Sequence, residues 1–552
     1  MSDERRGGSG SSRQSGGQGG RDERRTGGPG RDGRGAQRSA GRGEQPPRDD
    51  RRDARGRQRS DARLRGAGHR SEQAPSARRR TGDPARSAAL AVLRAVDDGA
   101  YANLEMPKVL TRHDLSGRDA AFATELALGT IRRQGFYDRV IETGSGRAPS
   151  QIDPVVLAVL RLGVHQILSM RVPVHAATSE TVALAREHAG SGAAGFVNAV
   201  LRRAGERDRE TWIADLTRGV DDADEVRAVA TSHPRWVVSA LRQSLRGHRA
   251  AGGDGQASLD DALDALLEAD NTPPRVSLVA RPGLATVDEL VASGAEASDL
   301  SPVGAVLPFG DPANIPAIRQ TRAAVQDEGS QLLALALADA DVPPRTASGD
   351  DAREDWLDLC AGPGGKAALL GAVAHLRGDV LYCNEASEHR TDLVRRTLRA
   401  LLDDGAEIYI GTGDGRDLGR EEPGTYDRVL LDAPCTGLGA LRRRPESRWR
   451  RQPSDVAELS ALQVELLDSA IDATRAGGVI GYATCSPHPA ETLAVVAEVL
   501  GRRDDVVQED AWPLFRDAFD EPIERVGDLP SVQLWPHLHG TDAMFFALLR
   551  KK

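Results

Sequence analysis

Apolar residues recur every three to four positions between residues 85 and 208, and this spacing predicts a series of amphipathic helices. The clearest stretches are 88–96, 119–129 and 154–168, where apolar residues fall at i, i+3, i+4 and i+7. Short Gly- and Pro-containing breaks separate these stretches, and no strand pattern interrupts them. The segment 85–208 is therefore predicted to form an all-α bundle.

The pattern changes after residue 208. Residues 209–265 mix helical spacing with a Gly- and Asp-rich break around 250–255, which indicates a helical or flexible linker. Residues 266–335 contain two short β-branched runs, at 276–280 and 305–307, with a helical stretch between them. This alternation predicts a small α/β subdomain.

Strand and helix patterns alternate regularly from residue 336 to residue 552, which favours a parallel, doubly wound sheet. Predicted strands include 356–360, 380–385 and 408–412. Two more apolar runs end shortly before Cys435 and at Cys485. Because the carboxyl ends of parallel strands share one edge of a sheet, residues that follow these strands are expected to meet.

Residues 1–84 contain almost no apolar side chains, which predicts a disordered tail. Residues 1–80 hold 22 Arg against 11 Asp and Glu, a net charge of +11, so the rest of a chain whose overall charge is −9 carries −20. Two interpretations of the tail stay open: non-specific attraction to RNA phosphates, or a solubilising extension. The chain lacks both an apolar run of about 18 residues and a hydrophobic secretion signal, so we expect a cytoplasmic protein without a membrane partner.

A glycine-rich turn joins the first strand and helix of the predicted α/β domain. It comprises Cys360, Ala361, Gly362, Pro363, Gly364, Gly365 and Lys366. Such a turn lets backbone amides at a helix start approach a nucleotide-like ligand. The spacing fits neither the dinucleotide nor the triphosphate fingerprint, which disfavours both ligands. Glu385, at the end of the next strand, is placed to accept ribose hydroxyls, and Asp414, after the third strand, to reach an adenine edge.

The chain has four cysteines and no C-x-x-C pair, which argues against a disulfide framework and against a bound metal. Cys435 and Cys485 each follow a predicted strand, and we expect both thiols to face one substrate. The alternative is that each is a small buried residue, which is how Cys383 is interpreted. Cys360 is also interpreted as structural, apart from a backbone contact with the ligand of the turn.

Between Cys435 and Cys485 lies a segment, 441–451, with six arginines around one tryptophan. Such a patch suits RNA phosphates, with stacking or packing on the indole ring. The predicted RNA-binding residues are Arg442, Arg443, Arg444, Arg448 and Trp449. A solvated charged loop is the alternative interpretation.

Several motifs resemble those of the NOL1/NOP2/Sun family of RNA cytosine-5 methyltransferases. They include D-L-C-A-G-P-G-G-K at 358–366, L-D-A-P-C-T-G at 431–437 and Y-A-T-C-S at 482–486. The helical segment resembles the NusB-type RNA-binding bundle, notably at 195–203, G-F-V-N-A-V-L-R-R. With this bundle in front, the arrangement is similar to that of bacterial members that methylate 16S rRNA. The resemblance covers residues 85–552 and implies a multidomain protein with a Rossmann-like class I S-adenosylmethionine methyltransferase domain.

The resemblance also implies roles for individual residues. It implies S-adenosylmethionine bound by residues 360–366, Glu385, Asp414 and Asp432. Cys485 would be the nucleophile that adds to carbon 6 of cytosine, because this adduct makes carbon 5 reactive toward a methyl group. Cys435 would assist release as the base, and Asp432 would lie on the cytosine edge or near the donor.

The sequence departs from the family pattern at several positions. Gly362 and Ala367 stand where the family more often has Ala and Thr, and Glu385 replaces a frequent Asp. After the second cysteine the family commonly has C-S-x-x-P-x-E-N-E; here Pro489 and Glu491 fit, but the Asn and the second Glu are missing. No role is therefore assigned to that loop.

The expected function is S-adenosylmethionine-dependent methylation of carbon 5 of a cytosine in 16S rRNA by a monomeric enzyme. One alternative is the same chemistry on tRNA. Another is a NusB-like RNA-binding or assembly factor whose catalytic half is inert. A small-molecule methyltransferase would need neither the helical domain nor the arginine segment.

Overall fold

The computed structural model describes residues 83–249, 256–345 and 353–552. The predicted disordered tail, 1–84, thus lies outside the described residues except for Asp83 and Pro84, and so does the Gly- and Asp-rich break at 250–255. Asp83 caps the first helix by accepting a hydrogen bond from the backbone N–H of Arg86, and Pro84 occupies the first helical position.

Seven helices form the first part of the described chain, as the apolar spacing predicts. They are α1 (Pro84–Asp97), α2 (Ala102–Arg112), α3 (Gly117–Arg132), α4 (Gln134–Ser145), α5 (Pro154–Leu168), α6 (Val174–His188) and α7 (Ser191–Ala204). Helix α5 is buried along most of its length, because its own apolar residues lie on nearly all of its sides. The helices share one hydrophobic core, which confirms the all-α bundle.

The segment predicted as a linker is mostly helical. Its helices are α8 (Arg209–Leu216), α9 (Ala223–Thr231), α10 (Arg235–Gly247) and α11 (Gln256–Asn271). Leu241 and Leu263 of α10 and α11 share a buried cluster with Leu438, Leu441 and Trp535. This segment therefore packs against loops of the C-terminal domain.

A small antiparallel sheet follows, with strand order β2-β3-β1-β4. Its elements are β1 (Val276–Ala280), α12 (Val287–Ala292), β2 (Glu296–Ala297), β3 (Gly304–Leu307), α13 (Pro316–Arg319) and β4 (Ala323–Val325). Helix α14 (Glu328–Asp339) leads from this subdomain into the large sheet. Strands β1 and β3 and the helix at 287–292 lie where the pattern predicts them, whereas the short strands β2 and β4 were not predicted.

The large sheet contains eight strands in the order β10-β12-β9-β8-β5-β6-β7, with β11 paired to β12. The strands are β5 (Asp355–Asp358), β6 (Val380–Glu385), β7 (Ile408–Thr412), β8 (Tyr426–Asp432), β9 (Thr474–Thr484), β10 (Val506–Glu509), β11 (Val532–Gln533) and β12 (Phe545–Lys551). Strands β5 to β9 run parallel, and β12 runs antiparallel to β9. This Rossmann-like architecture is the predicted one, with an antiparallel edge added.

Helices cover both faces of this sheet. They are α15 (Gly365–Arg377), α16 (Glu388–Thr397), α17 (Arg399–Asp403), α18 (Gly415–Glu421), α19 (Ser447–Arg450), α20 (Pro453–Ala473), α21 (Leu493–Arg502) and α22 (Pro536–His539). Neighbouring strand residues alternate between two cores: Leu430 belongs to one, Leu431 to the other. Burial on both faces explains why these strands are continuously apolar. None of the helices in the described ranges is long and apolar enough to span a lipid bilayer.

Candidate active site

The predicted donor-binding residues and both predicted catalytic cysteines lie at, or just after, the carboxyl ends of the parallel strands. Strand β5 lies between β6 and β8, so chain order reverses at this position. Open α/β sheets bind ligands in the crevice that such a reversal creates. Asp358 at the end of β5 is in register with Cys383 and Leu430, so neighbouring strands end nearly level.

The loop after β5 is pinned between its two neighbours. The Leu359 N–H donates to the Leu430 carbonyl at 2.9 Å, and the Ala361 N–H donates to the Asn384 carbonyl at 2.9 Å. Gly364 has a φ of +105°, a conformation that favours glycine. A Cβ added to Gly365 would meet only the Gln326 side chain, at 3.9 Å, so the start of α15 is open to a ligand.

Glu385 is buried at the end of β6 and is held by the glycine loop. One carboxylate oxygen accepts from the Gly362 N–H at 3.1 Å, and the other lies 3.2 Å from the Arg390 guanidinium. Arg390 also donates to the Gly362 carbonyl at 2.6 Å. The carboxylate predicted to meet the ribose therefore has a fixed orientation in the loop.

Asn384 and Asp414 order the next loop along the edge. The Asn384 amide donates to the Leu359 and Gly413 carbonyls, each at 3.1 Å, so it joins the loops after β5 and β7. Nothing in its local sequence indicates this role, because it lies within a predicted strand. Asp414 is exposed and caps α18, and hydrogen bonds from Arg416 hold its pKa below the usual range.

Lys366, at the start of α15, forms an ion pair with Asp432, at the end of β8. The Lys366 ammonium lies 2.8 Å from the Asp432 carboxylate. Burial opposes the charge of Lys366, but Asp432 outweighs it and the lysine pKa is raised. Asp358 lies buried nearby; burial and then the negative charge of Asp432 raise its pKa to about 7. This edge thus concentrates acidic groups around one lysine.

The two thiols face each other. Cys435 follows β8 and Cys485 follows β9, and their Sγ atoms lie 3.3 Å apart. Both side chains are partly exposed, whereas Cys383 is buried inside β6. The strand ends therefore bring the cysteines at 435 and 485 together, whereas Cys383 lies apart from this pair.

The environment of the pair is unequal. The hydrogen bond with Cys435 lowers the pKa of the Cys485 thiol, and the positive charges of Arg444 and Lys366 add to this effect against burial and Asp432. The same hydrogen bond, followed by burial, raises the pKa of Cys435. Thiolates, not thiols, are nucleophiles. These shifts favour the thiolate at Cys485 over Cys435.

Glu491 is a site residue to which sequence analysis gave no role. It is fully buried at the end of a short 3-10 turn, Pro489–Glu491, and accepts hydrogen bonds from residues next to both cysteines. The only signal in the sequence was its fit to the glutamate of the family pattern. The missing Asn and second Glu had obscured that signal.

The structure contradicts the prediction that residues 441–451 form an exposed RNA-binding patch. Arg442 is buried and pairs with Asp327 and Asp542 at 3.1 and 2.9 Å. Arg443 pairs with the same two carboxylates. Both guanidinium groups therefore tie this segment to the start of α14 and to the residues before β12.

Arg448 is fully buried and bridges the catalytic domain to the helical region. Its guanidinium donates to the carbonyls of Arg132, Ser232 and Asp270 and to the Asn271 side chain, at 3.0–3.3 Å. Burial lowers the pKa of this arginine to about 9. A residue enclosed in this way cannot contact RNA phosphates, so its predicted role is wrong.

Trp449 and Arg450 extend the same contact. The Trp449 indole N–H donates to the Ile131 carbonyl at 3.0 Å. The indole ring packs against Gly135 so closely that a Cβ added to this glycine would lie 2.3 Å from the ring. Arg450 donates to the Val96 carbonyl at 2.6 Å. The indole predicted to stack on RNA therefore packs inside the protein.

Arg444 is the exception in this segment. It is exposed, and the described part of the chain gives its guanidinium no hydrogen bond or ion pair. Its guanidinium lies 5.5 Å from the ring centroid of Tyr101, an exposed residue of the helical bundle. Arg444 therefore presents its charge to solvent at the junction of the two domains and close enough to Cys485 to lower its pKa.

Two family models match the chain. The model described as 16S rRNA methyltransferase RsmB/F matches residues 348–550, and the NusB family model matches residues 83–206. A putative methyltransferase of Mycobacterium tuberculosis is 49% identical over 478 residues, which cover 86% of this chain and 98% of that protein. Ribosomal RNA small subunit methyltransferase B of Pseudomonas putida is 33% identical over 429 residues, 76% of this chain and 89% of that protein.

The fold is also found in a solved structure. The crystal structure of the protein PH0851 superimposes with a TM-score of 0.68 at 21% identity and covers 85% of this chain and 99% of that chain. At this identity the likeness shows the fold alone. The two family models and the Pseudomonas relative show that this chain is an RNA methyltransferase that belongs to the RsmB/F family and carries a NusB domain in front of the methyltransferase domain.

Proposed function

We propose that this protein methylates carbon 5 of a cytosine in 16S rRNA, with S-adenosylmethionine as donor, through a covalent bond between Cys485 and carbon 6. The observation that supports it best is the pair of thiols 3.3 Å apart beside the glycine loop. An RNA methyltransferase that acts on a base nitrogen or a ribose oxygen has no use for two such thiols. Cytosine carbon 5 requires a nucleophile to activate it.

The residues of the donor loop fit S-adenosylmethionine, which supplies an electrophilic methyl group. The open start of α15 offers backbone amides, and the ordered Glu385 carboxylate offers acceptors for ribose hydroxyls. Gln326 lies beside this helix start, and its buried side-chain oxygen has no hydrogen-bond partner among the described residues. An amino group on the donor would satisfy that acceptor.

Cys485 performs the first step in this proposal. Its thiolate adds to carbon 6 of the cytosine, and the electron pair of the ring becomes available at carbon 5, which then takes the methyl group. Asp432, paired with Lys366 at the same edge, is placed to bind the amino edge of cytosine or the donor. A carboxylate facing that edge would reject uracil, which presents a carbonyl there.

Cys435 performs the last step. Once Cys485 is bonded to the ring it no longer accepts the Cys435 proton, and that proton passes to solvent. The Cys435 thiolate then takes the proton of carbon 5, the bond between Cys485 and carbon 6 breaks, and the aromatic ring is restored. One proton is released per methyl group transferred.

Arg444 and Tyr101 are proposed to contact the RNA. Arg444 offers to a phosphate a guanidinium that has no ion pair among the described residues, and the partly exposed ring of Tyr101, which also lies near Arg450, offers an aromatic surface to a base. In this proposal the helical bundle and Arg444 bind RNA, and residues 336–552 carry out the chemistry. A 16S rRNA substrate would place the enzyme in the cytoplasm.

The mechanism is tested with the full-length protein, labelled S-adenosylmethionine and small ribosomal subunits or their RNA. Cys485→Ala is expected to abolish methyl transfer, whereas Cys435→Ala is expected to accumulate a covalent protein–RNA complex on a denaturing gel. Cys383→Ala, a buried thiol outside the Cys435–Cys485 pair, serves as the matched control and should turn over normally. Normal turnover by the Cys485 variant would overturn the mechanism.

The target is tested separately. Bisulfite sequencing of rRNA and tRNA from a strain that lacks the gene should show one unmethylated cytosine in 16S rRNA and unchanged tRNA. A change in tRNA alone would favour the alternative substrate. Failure of the purified protein to bind S-adenosylmethionine in calorimetry would instead favour an RNA-binding assembly factor.

A further inference from the structure

Glu491 connects the two thiol loops. Its carboxylate accepts from the Thr436 backbone N–H at 2.7 Å, from the Thr436 hydroxyl, and from the Ser486 hydroxyl at 2.6 Å. The Gln463 amide approaches the same group at 3.4 Å. Thr436 follows Cys435 directly, and Ser486 follows Cys485 directly, so one side chain holds the residues next to both thiols.

The position of this carboxylate has a physical cost. A buried carboxylate loses its hydration and is stable only where donors saturate its oxygens. Four donors do so here, and none of them is an arginine or lysine, so the group forms no ion pair in the described structure. A neutral side chain would fill the space without the desolvation cost. The charge therefore serves something other than packing.

We infer that Glu491 is a positioning residue that keeps Cys435 and Cys485 in contact and makes them chemically unequal. The geometry supplies the contact, because it fixes both loops against one rigid group. Charge adds to the inequality that the hydrogen bond between the thiols creates: the negative charges of Glu491 and Asp432 act on Cys435, whereas the positive charges of Arg444 and Lys366 act on Cys485 against Asp432. Negative charge next to Cys435 keeps the proton on that thiol, which leaves Cys485 as the thiolate.

This inference deepens the proposed function, and its primary test needs neither RNA nor methyl donor. The full-length protein is treated with iodoacetamide at neutral pH, and mass spectrometry gives the ratio of alkylated Cys485 to alkylated Cys435. Glu491→Gln keeps the shape and removes the charge. Thr436→Val removes one hydroxyl bond and keeps the backbone one. Glu354→Gln, whose carboxylate pairs with Arg428 at the opposite edge of the sheet, is the matched control.

The ratio should fall about tenfold in Glu491→Gln, because a tenfold change corresponds to one unit of relative thiol pKa. It should fall less in Thr436→Val and stay unchanged in Glu354→Gln. Turnover in Glu491→Gln should drop about a hundredfold with the Michaelis constant for the donor nearly unchanged, as expected when reacting groups are misplaced rather than unbound. A purely structural role would instead lower the melting temperature without altering the ratio.

A wild-type ratio in both Glu491→Gln and Thr436→Val would overturn the inference; if the Gln variant does not fold, Thr436→Val alone decides it. The two proposals fail separately. Absence of cytosine methylation with an altered alkylation ratio would remove the proposed function and leave the role of Glu491 intact. Active enzyme with an unaltered ratio would do the reverse.

Discussion

Two residues of the same type have different surroundings here, and these shift their thiol pKa values in opposite directions. Cys435 and Cys485 each follow a strand, and nothing in the local sequence tells which one attacks. In the folded protein the two thiols share a hydrogen bond, and the positive charges of Lys366 and Arg444 act on Cys485. A hydrogen bond to a thiolate favours the charged form and so lowers its pKa.

This asymmetry predicts a pH dependence. The rate of alkylation of Cys485 should rise with pH, and the midpoint of this rise should lie below the usual thiol pKa of about 8.5. The reason is that the lowered pKa of Cys485 lets its thiolate form at a lower pH. In Cys435→Ala the hydrogen bond is lost, and the curve should move up by about one pH unit. The rate of iodoacetamide labelling across pH 6–10 measures both curves. A curve that stays in place, or moves down, would contradict the proposed donor.

Gly362 and Glu385 depend on each other. A Cβ added to Gly362 would lie 2.2 Å from the Glu385 carboxylate and 3.0 Å from the Arg390 guanidinium. The family more often has Ala and Asp at these two positions. A shorter acid at position 385 would leave that space for the methyl group of an alanine at position 362.

The expected result is compensation between two substitutions. Gly362→Ala alone should weaken donor binding about tenfold, because overpacking costs about 1–3 kcal/mol. Glu385→Asp alone should also weaken it, since the bond to the Gly362 N–H is lost. The double variant should bind within about threefold of wild type, a clear departure from additivity.

Calorimetry with S-adenosylmethionine measures all three dissociation constants. Gly192→Ala, a position with nothing within 4 Å of an added Cβ, is the control. Strictly additive losses in the double variant would mean that the two positions act independently.

At the level of elements, local patterns predicted most of the fold. The strands at 276–280, 380–385 and 408–412 were found at their predicted positions, because alternating and continuous apolar runs depend on neighbours in the chain. The glycine loop and the two thiols also followed from strand ends.

The segment 441–451 could not be predicted in this way. Its composition indicates a basic surface, but its acceptors come from residues far away in sequence: Arg442 pairs with a residue 115 positions away, and Arg450 contacts one 354 positions away. Buried carbonyls of helix ends need donors, and a long guanidinium can supply several. The same local sequence would be a surface patch if those helix ends lay elsewhere.

Arg448 should accordingly be important for stability. Arg448→Met leaves four buried acceptors without a donor, and we expect the free energy of unfolding to fall by about 3 kcal/mol. Urea denaturation followed by fluorescence measures the change. Arg444→Met, in the same segment but exposed, should change stability by less than about 0.5 kcal/mol. Equal effects of the two variants would show that Arg448 is not an internal connection between the domains.

For the whole molecule, the question is how a body with a net charge of −20 binds RNA. RNA binding needs local rather than net positive charge. Five of the six arginines at 441–451 bind carboxylates or carbonyls of the protein itself. The Arg444 guanidinium is exposed and can bind a ligand. It lies close to the thiols and next to Tyr101 of the helical bundle. An RNA strand that enters the site would therefore pass the junction of both domains.

This arrangement predicts different losses for the two residues. Arg444→Gln should weaken RNA binding and lower the slope of log affinity against log salt by about one, because one phosphate contact is lost. Arg444→Lys keeps the charge and should keep the slope. Tyr101→Leu should weaken binding by about 1–3 kcal/mol with the slope unchanged, since stacking does not release ions. Filter binding to 16S rRNA over a range of salt concentrations gives both quantities. If Arg444→Gln slows alkylation of Cys485 but leaves the slope intact, the guanidinium acts on the thiol alone and RNA enters elsewhere.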